Sequence, residues 1–410
     1  MDRRNRLTAV GRRISFLVYT DAWGGMELHT LRLADLLGKR GHQVEIVQLG
    51  LPVFTQRGVA EGPNVRVRTL TLPKPFDQIG LVRWLGLLRG LGGDIGVFCK
   101  GWTKVGSVQF DLAARMTFRR FVTVEHSNPP ALGPRGSSRH LGGLVPGLGL
   151  WWHRARLAIQ LRSVSPQTII GVSAAVIRQL QQEYGFPARK LKAIPNGIAV
   201  ERYHPDVAMR AATRATWGVP QDAFVFGSVG RLSMWVKGLD TAIDLVGRLR
   251  AERPDKRFWY VLVGDGEDHA RLQEMARERG IGDRVVFAGF TDRPWEAHSA
   301  VDVLLMPSRF EGIGLSLIES MATGCCPVAM GVGGITDVIA DPSMGWLVPP
   351  DDTEAFYDAM KAALESTPEQ RRAMAERARA YVLANFRADE QYAKVADAIV
   401  DEPSPAARSA

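Results

Sequence analysis

Short apolar runs alternate with stretches of helical spacing along nearly the whole chain. Runs at 13–19, 44–49, 65–70, 94–99, 121–126 and 168–173 are bounded by Gly, Pro, Asn and Asp and read as buried strands. Between them, Leu28, Leu31, Ala34 and Leu37 return at helical spacing, with Gly38 and Gly41 as the stop. Further helices are predicted over 81–91, 104–116 and 174–184. The rhythm resumes in the second half. Strands are predicted from 224, then at 259–263, 285–290, 303–306, 326–330 and 345–348. Helices are predicted after Lys237-Gly238, over 271–279, from Gly314 to the stop at Gly324, and over 353–364, 368–384 and 389–400.

Strand–helix alternation in both halves predicts an α/β protein built from two Rossmann-like, doubly wound domains. At 410 residues the chain is long enough for two full cores. The turn at Pro195-Asn196-Gly197 divides them, giving 1–197, then 198–384, then a closing helix and tail over 385–410. In open sheets of this kind ligands sit at the carboxyl ends of strands. That rule selects the candidate chemistry.

The richest such end follows 303–306. Glu311 falls in the loop, and Gly312, Ile313, Gly314 and Leu315 lead into a helix whose early part carries Glu319. A helix start with uncommitted N–H groups favours a phosphate. Ionised carboxylates repel phosphate but accept strongly from sugar hydroxyls. Two acids flanking a phosphate-binding helix start therefore suggest a nucleotide-sugar, one acid for the ribose and one for the transferred sugar. After the strand from 224, Arg231 and Lys237 flank a loop and make a cationic clamp for a diphosphate. Gly264 opens the next loop, Gly264-Asp265-Gly266, and Phe290 closes the strand after it. Gly24 and Gly25 follow the first strand, and His126 ends the strand at 121–126 beside Glu125, which reads as structural. The first loop is not Gly-x-Gly-x-x-Gly, and no acid closes the second strand, which argues against a dinucleotide oxidoreductase.

The run Glu311-Gly312-Ile313-Gly314-Leu315 through Glu319-Ser320-Met321-Ala322-Thr323-Gly324 resembles the two-glutamate signature of the retaining GT-B glycosyltransferases of family 4. Gly24-Gly25-Met26-Glu27, the Pro195-Asn196-Gly197 turn, the Arg231 and Lys237 pair and the Gly264 loop are similar to further motifs of that family. The resemblance implies a GT-B architecture, two Rossmann-like domains facing a cleft, with the acceptor on the N-terminal domain and the nucleotide-sugar on the C-terminal one. It implies that the closing helix crosses back to the first domain. It implies catalytic roles for Glu311, His126, Lys237 and Arg231. Donor contacts are implied for Gly24, Gly25, Arg231, Lys237, Gly264, Phe290, Glu311, Gly312, Ile313, Gly314, Leu315 and Glu319, with Phe290 packing on the base. No metal or other cofactor is required, because Arg, Lys and a helix end take the place of a cation. The expected reaction is retaining transfer from a nucleoside-diphosphate sugar, UDP-linked or GDP-linked, to a glycan or lipid-linked acceptor in cell-surface polysaccharide or glycolipid assembly. A GT-B nucleotide-sugar epimerase and a non-catalytic nucleotide-sugar-binding protein are the competing readings.

Charge sharpens the acceptor side. Net charge is +9, but residues 1–195 carry 28 Lys and Arg against 11 Asp and Glu, and the remainder carries 24 against 32. A basic N-terminal half suits an anionic membrane surface or a lipid-phosphate acceptor better than nucleic acid in this setting. The Pro- and Gly-rich stretch 127–149 reads as a functional loop. The mixed aromatic and basic segment 148–158 reads either as an interfacial helix or as a core-packed one. Cys99, Cys325 and Cys326 form an odd set without metal-ligand spacing, which fits a reducing cytoplasm, with peripheral attachment to the inner face of the membrane. The tail 403–410 is expected to be disordered.

Overall fold

The computed structural model describes residues 11–20, 24–59, 61–73, 75–101, 105–127 and 159–401. The loop 128–149, the segment 148–158 and the tail 403–410, for which expectations were stated above, lie outside these residues. The chain divides into two compact units, residues 1–196 with 390–410, and residues 197–389.

In the first unit, β1 (Arg13–Val18), β2 (Gln43–Leu49), β3 (Val65–Leu70), β4 (Ile95–Lys100), β5 (Arg120–Glu125), β6 (Thr168–Gly171) and β7 (Leu191–Ala193) form one parallel sheet. The order is β3-β2-β1-β4-β5-β6-β7, so the chain reverses direction across the sheet between β1 and β4. Every residue of β4, β5 and β6 is buried, as expected of parallel strands covered on both faces. Edge strand β3 instead exposes Arg66, and such charges discourage pairing with another chain. On one face Trp84, Phe98 and Phe110 pack with ring centroids 4.6–4.8 Å apart. The helix expected from 104 spans Val108–Thr117, because Ser107 caps it by accepting from the Phe110 N–H at 3.2 Å.

From Glu390 onward the helix Ala388–Val400 belongs to this first unit. Its last carbonyls have no intrahelical partners. Arg12 donates to Val400 O at 2.8 Å, and Arg120 donates to Ile399 O at 2.8 Å and Ala398 O at 2.9 Å. Guanidinium groups at a helix C-terminus are favoured electrostatically as well.

In the second unit, β8 (Phe224–Val229), β9 (Phe258–Val263), β10 (Val285–Gly289), β11 (Val303–Met306), β12 (Cys326–Met330) and β13 (Trp346–Val348) form a parallel sheet ordered β10-β9-β8-β11-β12-β13. Its reversal falls between β8 and β11. There Ser228 donates to Leu305 O at 2.7 Å and its hydroxyl meets Tyr260 Oη at 2.9 Å. The unit begins and ends side by side. Ile198 N donates to Phe386 O and Ala388 N donates to Ile198 O, both at 2.9 Å. A Cβ on Gly197 would fall 2.6 Å from Arg387 O, so the turn motif has a packing reason.

Two helices here are not announced by apolar spacing. Pro294–Ala300 is only 7 residues long. Val207–Thr216 buries an arginine rather than an apolar stripe. Arg214 is 0% exposed and donates to Ala300 O, Gln221 O, Ala223 O and Asp302 at 2.8–2.9 Å.

Candidate functional site

The switch point of the second sheet holds most of the expected residues. A pocket at the ends of β8 and β11 is lined by Ser228, Gly230, Arg231, Lys237, Ser308 and Ser316. Open α/β sheets bind ligands in such a crevice. Arg231 is exposed and takes part in none of the ion pairs among the described residues. Lys237 ends the short helix Met234–Lys237, and its Nζ lies 2.7 Å from Glu311 Oε1. Ser308 Oγ donates to the same oxygen at 2.9 Å. The structure thus brings the expected phosphate-binding lysine and sugar-binding acid into direct contact.

Backbone contacts fix this arrangement. Arg309 N and Phe310 N donate to Val236 O at 2.9 and 3.3 Å. The Arg309 guanidinium makes a bidentate pair with Asp240 at 2.9 and 2.8 Å. Gly264 packs against the β8 loop: its φ is 137°, and a Cβ there would lie 1.8 Å from Gly230 O. Gly312 O accepts from Gly334 N at 3.1 Å, and Ile313 is 3% exposed, so the acid loop is anchored on both sides of Gly312. Gly314 caps the helix Leu315–Ala322. The first N–H groups of an α-helix have no intrahelical partners, and here they belong to Leu315 and Ser316, the latter at the pocket wall.

Glu319 stands apart. It is the fifth residue of that eight-residue helix. It contacts neither Lys237 nor Glu311. Its Oε1 accepts from Tyr203 Oη at 2.7 Å, and its Oε2 lies 3.3 Å from His298 Nε2. Phe290 follows β10 and is 63% exposed, so it is not a core residue. Trp235, exposed beside Lys237, packs on Phe310 with ring centroids 4.7 Å apart.

In the first unit, Gly24 caps the helix Gly25–Lys39 at the end of the β1 loop, which is the switch point of that sheet. His126 follows β5, and its N–H donates to Lys100 O at 2.9 Å. The residue is half-buried, but Nε2 is shut off from solvent and has no hydrogen bond among the described residues. Burial pushes its imidazole down to about 3, so it is neutral at ordinary pH. The His29 ring lies edge-on to it at 4.8 Å and 5.1 Å from Tyr392. Burial, then repulsion from His126 and Arg32, holds His29 well below the usual range too. Glu125 is fully buried with Oε1 3.1 Å from Lys100 Nζ, an ion pair without hydrogen-bond alignment. That placement agrees with a structural Glu125.

Among the described residues no cluster of three or more His, Cys, Asp or Glu side chains could hold a metal ion. No described helix is long and apolar enough to cross a membrane. Ser308, Tyr203 and His298 are the site residues that sequence reasoning missed. Ser308, three residues before Glu311, could have been found as a local cap. Tyr203 and His298 carry no local signal.

A profile described as Glycosyl transferases group 1 matches residues 209–381, and one described as Glycosyltransferase Family 4 matches residues 23–202. A D-inositol 3-phosphate glycosyltransferase of Jonesia denitrificans is 30% identical over 373 residues, covering 84% of each chain. A 2-deoxystreptamine glucosyltransferase of Streptomyces kanamyceticus is 28% identical over 83% of this chain and 89% of its own. The crystal structure of HepE from Anabaena, in complex with UDP and glucose, superposes with a TM-score of 0.73 at 20% identity, over 95% of this chain and 100% of that one.

Proposed function

The chain belongs to the group 1 glycosyltransferases of family 4, enzymes of two-domain α/β architecture, and on that premise we propose that it transfers a sugar, with retention, from a UDP-sugar to a hydroxyl of a glycan or lipid-linked acceptor. The observation that carries this reading is the Lys237–Glu311 contact beside Arg231 at the switch point. Arg231, Lys237 and the helix start at Leu315 receive the diphosphate. The bond from the anomeric carbon to the diphosphate oxygen breaks, and the acceptor oxygen bonds to that carbon on the same face. The departing diphosphate takes the acceptor proton, and the two cations stabilise the charge it gains. Glu311 takes the hydroxyls of the transferred sugar. In the first unit, neutral His126 offers an uncharged partner to the acceptor. No step calls for a metal ion.

The test is incubation of purified protein with a panel of labelled UDP- and GDP-sugars, alone and with candidate acceptors. Release of the nucleoside diphosphate, with a glycoside product of unchanged anomeric configuration by NMR, supports the reading. An epimerised nucleotide-sugar would make the chain an epimerase, and binding without turnover would make it a sensor. The basic balance of residues 1–195 supports an acceptor presented at an anionic membrane. Binding to phosphatidylglycerol vesicles that weakens steadily with salt supports that part, and no binding at low salt removes it.

A further inference from the structure

Glu319, unlike Glu311, has no lysine or arginine in an ion pair with it among the described residues. Its side chain is 18% exposed, and its ion-pair contact among the described residues is His298 alone. A carboxylate only accepts hydrogen bonds, so His298 must present Nε2 as the proton donor. Its Nδ1 is buried and without a hydrogen bond among the described residues. His298 is 0% exposed and Tyr203 6%. Two enclosed donors thus grip one carboxylate, one on each oxygen, at 2.7 and 3.3 Å.

The grip is itself braced. Arg379 donates to Tyr203 O at 3.0 Å and also to Ala322 O, tying the Tyr203 segment to the end of the Glu319 helix. The Tyr203 ring stands edge-on to Trp295 at 6.3 Å, one turn before His298 on the helix Pro294–Ala300. The two donors come from segments 116 and 21 residues away from Glu319. An ionised group this enclosed is costly unless its remaining acceptor capacity is used. A carboxylate has about four lone-pair directions, of which Tyr203 and His298 use two. The two left, one on each oxygen, match a pair of adjacent hydroxyls.

We propose that Tyr203 and His298 are positioning residues that fix the rotamer of Glu319, so that its free lone pairs meet the 2′- and 3′-hydroxyls of the donor ribose. This rests on the donor reading above and adds to it the source of ribose selectivity. Removing either donor lets the carboxylate turn, which weakens contact with the diol and leaves the diphosphate grip of Arg231 and Lys237 intact.

The experiment measures binding of UDP and of 2′-deoxy-UDP by calorimetry to the wild type, Tyr203→Phe and His298→Gln, with thermal melts as a check on folding. The wild type is expected to favour UDP by about ten- to hundredfold, the range for a hydrogen bond to a charged group. Each variant is expected to lose at least about threefold of that ratio, its affinity for 2′-deoxy-UDP, which keeps only the 3′-hydroxyl contact, falling less than its affinity for UDP. Equal weakening toward both nucleotides means a merely structural role and overturns the proposal, as does an unchanged ratio. A wild type that does not discriminate removes the ribose contact itself. A wild type that binds neither UDP nor GDP overturns the donor reading, and this inference with it.

Discussion

Removing Lys237 should cost both stability and catalysis, and the two losses should share one cause. Its Nζ and Glu311 Oε1 are 2.7 Å apart, so at an effective dielectric of about 20 their gross attraction is about 6 kcal/mol. Most of that is offset by desolvation, and the lysine still keeps 26% of its side-chain surface against 9% for the acid. Without the lysine, Glu311 keeps the Ser308 hydroxyl at 2.9 Å and loses its cation. Breaking a fully buried pair costs about 3–5 kcal/mol, and screening at this exposure reduces that to about 2 kcal/mol for Lys237→Met. Glu311→Gln keeps an acceptor for both partners and should cost about 1 kcal/mol. The double variant should cost about 2 kcal/mol, a coupling of about 1 kcal/mol. Urea unfolding of the four proteins, followed at the transition of the C-terminal unit, measures these terms. Transfer should fall by about 10²- to 10³-fold in each single variant and hardly further in the double one. Single costs that sum to the double cost within about 0.3 kcal/mol would falsify the idea that these two residues act as one unit.

Four further outcomes are expected. Arg214→Met leaves Asp302 with Arg210 and the Val225 N–H and strips four hydrogen bonds from a buried site, so the second unit should lose about 3 kcal/mol in urea unfolding. Gly264→Ala forces the β8 and β9 loops apart, and UDP affinity should drop at least about tenfold by calorimetry. Arg120→Met frees the last carbonyls of the closing helix, and faster amide exchange near residues 396–400 should report it. His126 has a folded pKa pushed down to about 3, below the ordinary value near 6.5, so the unfolded chain takes up a proton there that the folded chain refuses. Stability from this group is complete above about pH 7 and falls by about 1.4 kcal/mol per pH unit below about 6, with His29 adding in the same direction. His126→Asn should flatten the urea midpoint between pH 7 and 5, and an unchanged slope would contradict the burial argument.

The strands were legible because parallel strands buried on both faces leave continuous apolar runs, and each predicted run overlaps an observed strand with ends close to those expected. The helices that escaped notice lack the apolar stripe that makes helices visible. Val207–Thr216 is held by a buried arginine, and Pro294–Ala300 is two turns long. The same distinction runs through the site. Arg231, Lys237, Glu311 and Gly264 stand at strand ends, where chain order alone points to a ligand. Tyr203 and His298 lie far from Glu319 in sequence, and only packing of three segments brings them to it.

On the proposed reading the two acids of the signature do different work, and their partners give the reason. Glu311 sits against a lysine, so its charge is cancelled where a diphosphate must approach. A bare carboxylate at that place would repel the ligand that Arg231 attracts. Glu319 is held by a hydroxyl and an imidazole, with no lysine or arginine paired to it among the described residues. A carboxylate held this way accepts strongly from neutral hydroxyls and disfavours an anion in the same place. Exchanging the two environments would put repulsion at the diphosphate and a weak acceptor at the sugar. One helix start can thus serve a polyanion and a polyol together, provided that the lysine stays with the first acid and away from the second.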